Sequence, residues 1–84
     1  MLELYQAEDC PHSASVRETM QELGLSFVAH NPRTRDGEVR DEDARDRLVE
    51  LGGEDQIPFL VDPDRDASVY ESDDIAAYLR EHYR

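Results

Sequence analysis

The chain has 84 residues and a formal net charge of −12, from 21 acidic side chains against nine basic ones, every base being arginine. That length suits one small domain over residues 1–84, near the lower limit for independent folding, and the charge repels nucleic-acid phosphates and anionic lipid, so neither is expected as a partner. The start MLELYQ has no basic region followed by a long apolar run, so a soluble cytoplasmic protein is expected.

Residues 1–5, MLELY, set Leu2 and Leu4 against Glu3, the alternation of a short strand that leads directly into a loop holding Cys10. Over 13–23, Val16, Met20 and Leu23 recur at helical spacing and Gly24 follows as a stop, which predicts a helix whose first turn lies at the cysteine. LSFVAH, residues 25–30, reads as a second strand, and NPRTRDGEVR as a polar loop ended by Asp41, a good N-cap. Ala44, Leu48 and Leu51 then repeat the helical period before Gly52-Gly53, predicting a helix over 41–51 with those three side chains on its apolar face. IPFLV, the turn DPDRD and ASVYE read as two strands joined by a tight hairpin. Ser72 is expected to cap a last helix, with Asp73 and Asp74 in its positive first turn and Ile75, Leu79 and Tyr83 on its buried face. The order βαβαββα predicts an α/β fold, a four-stranded mixed sheet flanked by helices on both faces. Disordered acidic tails lack such periods. The acidity reads as adaptation to high salt, where repulsion is screened to about 3 Å, against the simpler reading of an ordinary acidic domain.

Cys10 is the only cysteine, so no intramolecular disulfide can form. Its scatter with His12, His30 and His82 makes no zinc-ligand spacing, and no metal is expected. A thiolate is the reactive form of cysteine, and one placed just before a helix is favoured by unpaired backbone N–H groups and the positive end of the dipole. Pro11 fits at or near the first helical position, where its missing N–H costs nothing. Glu8 and Asp9 oppose the thiolate by repulsion, so a modest downward shift of the thiol pKa is expected. A free cysteine usually behaves as a small buried hydrophobe, but Cys10 follows a polar, acidic loop, which points to an exposed and reactive thiol.

The stretch LYQAEDCPHSASVRETMQELGL is similar to the first strand, active-site loop and first helix of glutaredoxins, whose motif is Cys-Pro-x-Cys, with Ser13 in the place of the second cysteine. QIPFLV resembles the family's segment around a cis-proline. YESDDIAAYLREHY resembles its last strand and helix, also shared by the N-terminal domain of glutathione S-transferases. The resemblance covers essentially the whole chain. It implies a thioredoxin-like fold and a monothiol thiol-disulfide oxidoreductase: Cys10 takes glutathione from a mixed disulfide with a protein, and a second small thiol frees it. Ser13 cannot resolve an intramolecular disulfide; it either donates a hydrogen bond to the thiolate, caps the helix, or does both.

The implied thiol-binding set is Pro11, Gln56, Ile57, Pro58, Ser72 and Asp73. Pro58 would be cis and place the Ile57 backbone beside the sulfur, Gln56 would offer its amide, and Ser72 with Asp73 would hold the γ-glutamyl end, against plain capping of the last helix. Tyr5 either lines the same groove or belongs to the core. Two positions depart from the family. Ala7 stands where many glutaredoxins carry the lysine that meets the glycyl carboxylate. Arg33, Arg35 or Arg40 are then the substitutes, and γ-glutamylcysteine, which has no glycine, becomes an alternative to glutathione as co-substrate. His12 stands where Tyr or Phe is common and reads as a solvent-exposed variant. Two rival readings are an iron–sulfur cluster carrier, from whose Cys-Gly-Phe-Ser motif Pro11 and His12 depart, and a stand-alone transferase N-terminal-like domain that binds the thiol without redox turnover. A monomer is expected.

Overall fold

Leu2 and Leu4 point to one side of the first strand and Tyr5 to the other, and this alternation sets the layers of the whole molecule. The computed structural model describes residues 1–83. Strand β1 (Leu2–Tyr5) runs parallel to β2 (Phe27–His30) and antiparallel to β3 (Phe59–Asp62), which pairs antiparallel with β4 (Ala67–Tyr70). The sheet order is β2-β1-β3-β4. Helices α1 (Pro11–Glu22) and α3 (Ser72–Tyr83) cover one face, where Leu2, Leu4, Val16, Met20, Leu60, Ile75 and Leu79 form the larger core. Helix α2 (Glu42–Gly52) covers the other, where Ala44 and Leu48 meet Tyr5 and Phe59. This is the mixed four-stranded, helix-flanked sheet predicted above. Among the described residues no helix is long and apolar enough to cross a membrane.

The ends of the elements follow local chemistry. Helix α1 closes in a Schellman turn, with the Leu25 N–H donating to the Met20 carbonyl at 2.9 Å and Gly24 at φ 68. Asp41 caps α2 through a 3.1 Å bond from the Ala44 N–H. The β3–β4 hairpin turns through a short 3-10 segment (Pro63–Arg65) with Asp66 at φ 51. Gly52 is the last residue of α2 rather than its stop, a role taken by Gly53 at φ 85. A Cβ at position 52 would lie 2.0 Å from the Tyr70 hydroxyl, which donates to the Glu54 carbonyl and accepts from the Glu54 N–H.

Two expectations fail here. Leu51 is 55% exposed, because only Ala44 and Leu48 of the predicted stripe lie over the sheet. Ser72 is not the cap of α3 but its first residue; Glu71, at φ 71, precedes it and its carbonyl accepts the Ile75 N–H at 2.9 Å.

Candidate functional site

Three chain segments meet at the end of the sheet where β1 finishes and β3 begins. The first is the β1–α1 loop. Buried Gln6 gives its amide nitrogen to the Asn31 side chain at 2.6 Å and takes the Arg17 guanidinium on its oxygen, and Arg17 also reaches the Ala7 carbonyl and Glu8. This network fixes the loop from below. Above it the Cys10 N–H donates to the Ala7 carbonyl at 3.2 Å, and the Ser13 hydroxyl accepts the Ala7 N–H at 3.3 Å.

Cys10 occupies the N-cap position of α1, with Pro11 in the first turn. It is only 5% exposed, which corrects the expectation of an open thiol: its acidic neighbours lie outside, while Cys10 itself faces the buried Ser13 and Ala7. Burial pushes the thiol pKa up, but the Ser13 N–H and hydroxyl, the His12 N–H and the nearby Arg35 charge outweigh it, so the net shift is downward. Glu8 and Asp9 are engaged elsewhere, Glu8 with Arg17 and Asp9 as acceptor for the Arg35 N–H at 3.1 Å.

The second segment is Gln56–Pro58. The Ile57–Pro58 peptide bond is cis. The third is the β4–α3 junction. The Gln56 amide donates to the Glu71 carboxylate at 2.7 Å, joining the second and third segments. Together with α1 they enclose a cleft of about 500 Å³ lined by His12, Gln56, Ile57, Pro58, Glu71, Ser72, Asp73 and Asp74.

Five of the expected site residues, Gln56, Ile57, Pro58, Ser72 and Asp73, thus line one cleft. Cys10 and Ser13 are buried and are not among the residues that line it, His12 being the one α1 residue that does, and Pro11 is exposed at the helix start. Tyr5 belongs to the core, packed on Phe59 and stacked on His30 at 4.6 Å between ring centroids. Of the three candidate arginines, Arg40 pairs with Glu38 and Arg33 with Asp55, leaving Arg35 as the one whose charge reaches Cys10. Sequence reasoning missed Glu71, read as the end of a strand, and underrated His12, which is exposed yet lines the cleft. The signal for Glu71 was faint: an acid directly before the Ser-Asp-Asp helix start adds another carboxylate at a positive dipole end.

The family model described as "Glutathione S-transferase, N-terminal domain" matches residues 4–84. Among solved structures, a diazinon-metabolizing glutathione S-transferase of the silkworm Bombyx mori is 30% identical with a TM-score of 0.77, covering 100% of this chain and 38% of its own. Glutathione S-transferase 1-6 from Anopheles dirus species B is 28% identical with a TM-score of 0.77, covering 96% of this chain and 35% of its own. Ure2p, solved in complex with glutathione, shares the fold at 20% identity and a TM-score of 0.73, covering 98% of this chain and 33% of its own. The chain therefore spans little more than a third of the transferases it resembles. A search of the curated proteins found no match.

Proposed function

We propose, from the premise that this chain belongs to the glutathione S-transferase N-terminal-domain family, that its cleft binds a small γ-glutamyl thiol and that Cys10 exchanges disulfides with it. The observation that supports this reading is a thiol favoured as thiolate at the N-cap of α1, two residues before His12, which lines a cleft that also carries the cis Ile57–Pro58 bond and the carboxylates of Glu71, Asp73 and Asp74. The Ile57 backbone has an N–H and a carbonyl free to pair with an extended peptide. Asp73 and Glu71 match the amine of a γ-glutamyl group, and the N-terminus of α3 at Ser72 matches its carboxylate.

The reaction is an exchange of equals. The Cys10 thiolate attacks the small thiol's sulfur in a mixed disulfide with a protein; the Cys10–sulfur bond forms, the protein sulfur leaves as thiolate and takes a proton from solvent. A second small thiol, as thiolate, then attacks the adduct, forming the small-thiol disulfide and returning the Cys10 thiolate. The Ser13 hydroxyl, which draws the thiol pKa down, favours the thiolate between turns. Glutathione and γ-glutamylcysteine both carry the γ-glutamyl group this reading requires, and they differ in the glycyl carboxylate, for which Arg35, whose charge reaches Cys10, is the candidate cation.

The burial of Cys10 favours a second reading, in which the domain binds the thiol without turnover. Mass spectrometry after incubation with oxidised glutathione or with bis-γ-glutamylcystine separates them: an adduct on Cys10 supports exchange, and binding without adduct supports the second reading. Asp73→Asn should lower kcat/KM roughly ten- to hundredfold for either γ-glutamyl substrate, since a charge-assisted hydrogen bond is worth about 1.5–3 kcal/mol. Reaction with a small neutral disulfide should be unchanged. Equal losses on both would remove Asp73 from the binding site.

A further inference from the structure

The loop between β2 and α2 is folded into a small arm. Arg33 and Val39 form an antiparallel bridge, the Thr34 N–H donates to the Glu38 carbonyl at 2.8 Å, and Gly37, at φ 106, makes the turn by donating to the Thr34 carbonyl at 3.1 Å. Its base is held by the Arg33 guanidinium, whose Nε donates to Asp55 Oδ1 at 2.8 Å and Nη2 to the Asp55 carbonyl at 3.1 Å. Nη1 donates to the carbonyls of Thr34, at 2.9 Å, and Arg35, at 3.2 Å. The second Asp55 oxygen lies 3.6 Å from Arg45 Nε on α2, a buried nitrogen with no closer partner. All three Arg33 nitrogens are used, and its side chain is 13% exposed.

Toward its tip the arm touches the cysteine loop, where the Arg35 N–H donates to Asp9 Oδ1 at 3.1 Å. Asp55 immediately precedes Gln56 and Ile57, and Asp9 immediately precedes Cys10. The arm thus ties the segment just before Gln56 to the segment just before Cys10. Arg35 itself has no carboxylate partner among the described residues, so its charge is free to act on the thiol.

We propose that Arg33, clamped by Asp55, is a positioning residue that holds the 33–39 arm against the Cys10 loop and so keeps the Arg35 charge in range of the sulfur. This rests on the reading of Cys10 as the reacting thiol. A planar guanidinium is required, because one ammonium cannot reach two oxygens of Asp55 and two further carbonyls in the same fork. The other charged groups near the thiol are Glu8, paired with Arg17, Asp9, which accepts from the Arg35 N–H, His12 on α1 and, lining the cleft with His12, Glu71, Asp73 and Asp74.

The test is the pH dependence of Cys10 alkylation by iodoacetamide, a neutral reagent with no γ-glutamyl group. Arg35→Gln should move the midpoint upward and slow alkylation at neutral pH about threefold, the size of an exposed charge interaction of roughly half a pH unit. Arg33→Gln and Arg33→Lys should each move it in the same direction, and the double variant Arg33→Gln/Arg35→Gln should go no further than Arg35→Gln alone. Arg80→Gln, which removes an equal charge from α3, should leave the midpoint in place. A wild-type midpoint in Arg33→Gln, or effects that add in the double variant, overturns the proposal. If Arg33→Gln does not fold, Asp55→Asn replaces it, and an unmoved midpoint there overturns the proposal equally. Failure of turnover with γ-glutamyl disulfides is a separate result, which overturns the functional reading and leaves the alkylation profile to decide the arm.

Discussion

Two acidic groups are held out of water at opposite ends of the sheet, and they are held in different ways. At the end of β1 the Cys10 thiol sits at the start of its own helix, where the N–H groups of Ser13 and His12 and the Ser13 hydroxyl draw its pKa down against burial. At the end of β3 the Asp62 carboxylate, 1% exposed, takes the Tyr78 and Tyr83 hydroxyls on one oxygen, each at 2.7 Å, with Arg65 Nε at 3.7 Å. Burial pushes the Asp62 pKa up, but the two phenols and Arg65 win and hold it below the ordinary carboxylate range. Burial, and then its bond to Asp62, push Tyr78 up to about 12. A thiolate favoured chiefly by donors of its own helix start needs no side chains from another element over it. An anion served by the side chains of α3 is covered by them, and it fastens that helix to the sheet instead. One arrangement leaves chemistry possible and the other gives stability.

The comparison can be broken first at Cys10. Cys10→Ser should abolish adduct formation and turnover altogether, at a cost of about 1 kcal/mol because the site is buried and serine is a good N-cap. Large unfolding instead would make Cys10 a core residue first. The converse is Asp62→Ala, which strips two part-buried hydroxyls of their buried acceptor and should remove about 2 kcal/mol of stability. In urea melts that loss should appear as a lower midpoint, with iodoacetamide reacting with folded Cys10 at the wild-type rate.

Acid sharpens the same contrast. Because the folded-state pKa of Asp62 is depressed, its contribution is complete above the unfolded aspartate value of about 4 and is lost as pH falls from there through the depressed value. The gap in melting temperature between wild type and Asp62→Asn should hold steady from neutral pH down to about 4 and close below it. A gap that does not vary with pH would mean that Asp62 is not charged in the fold. The smallest effect is expected at Ser13: Ser13→Ala should raise the midpoint of Cys10 alkylation and slow it a few-fold at neutral pH, since one hydrogen bond to the thiolate is lost while two backbone donors remain.

What could be foreseen depended on how far apart the partners lie. Val16 and Met20, Ala44 and Leu48, and Ile75 and Leu79 declare their helices by spacing, and Asp41 and Gly24 mark ends by their own chemistry, so the fold was legible. The cleft was legible through resemblance, which placed Ile57, Pro58, Ser72 and Asp73 together. The burial of Cys10 was not, because it depends on how the β1–α1 loop is pulled inward by Gln6, Asn31 and Arg17. Asp62 read as a turn residue, and its partners come 16 and 21 residues later on another element. Leu51 kept the helical period but ran past the sheet that would have covered it.

The sheet order puts β1 between β2 and β3, and this bears on how the site comes into being as the chain is made. β2 follows β1 closely and can pair with it early, with α1 already laid across them. The other edge of β1 stays open until Phe59–Asp62 has been synthesised, since only that strand fills it. Cys10 therefore exists on the growing chain well before Gln56–Pro58 and Ser72, from the far half of the sequence, arrive to build the cleft. Because Gln56–Pro58 lead directly into β3, the cleft and the closed edge of β1 arrive together.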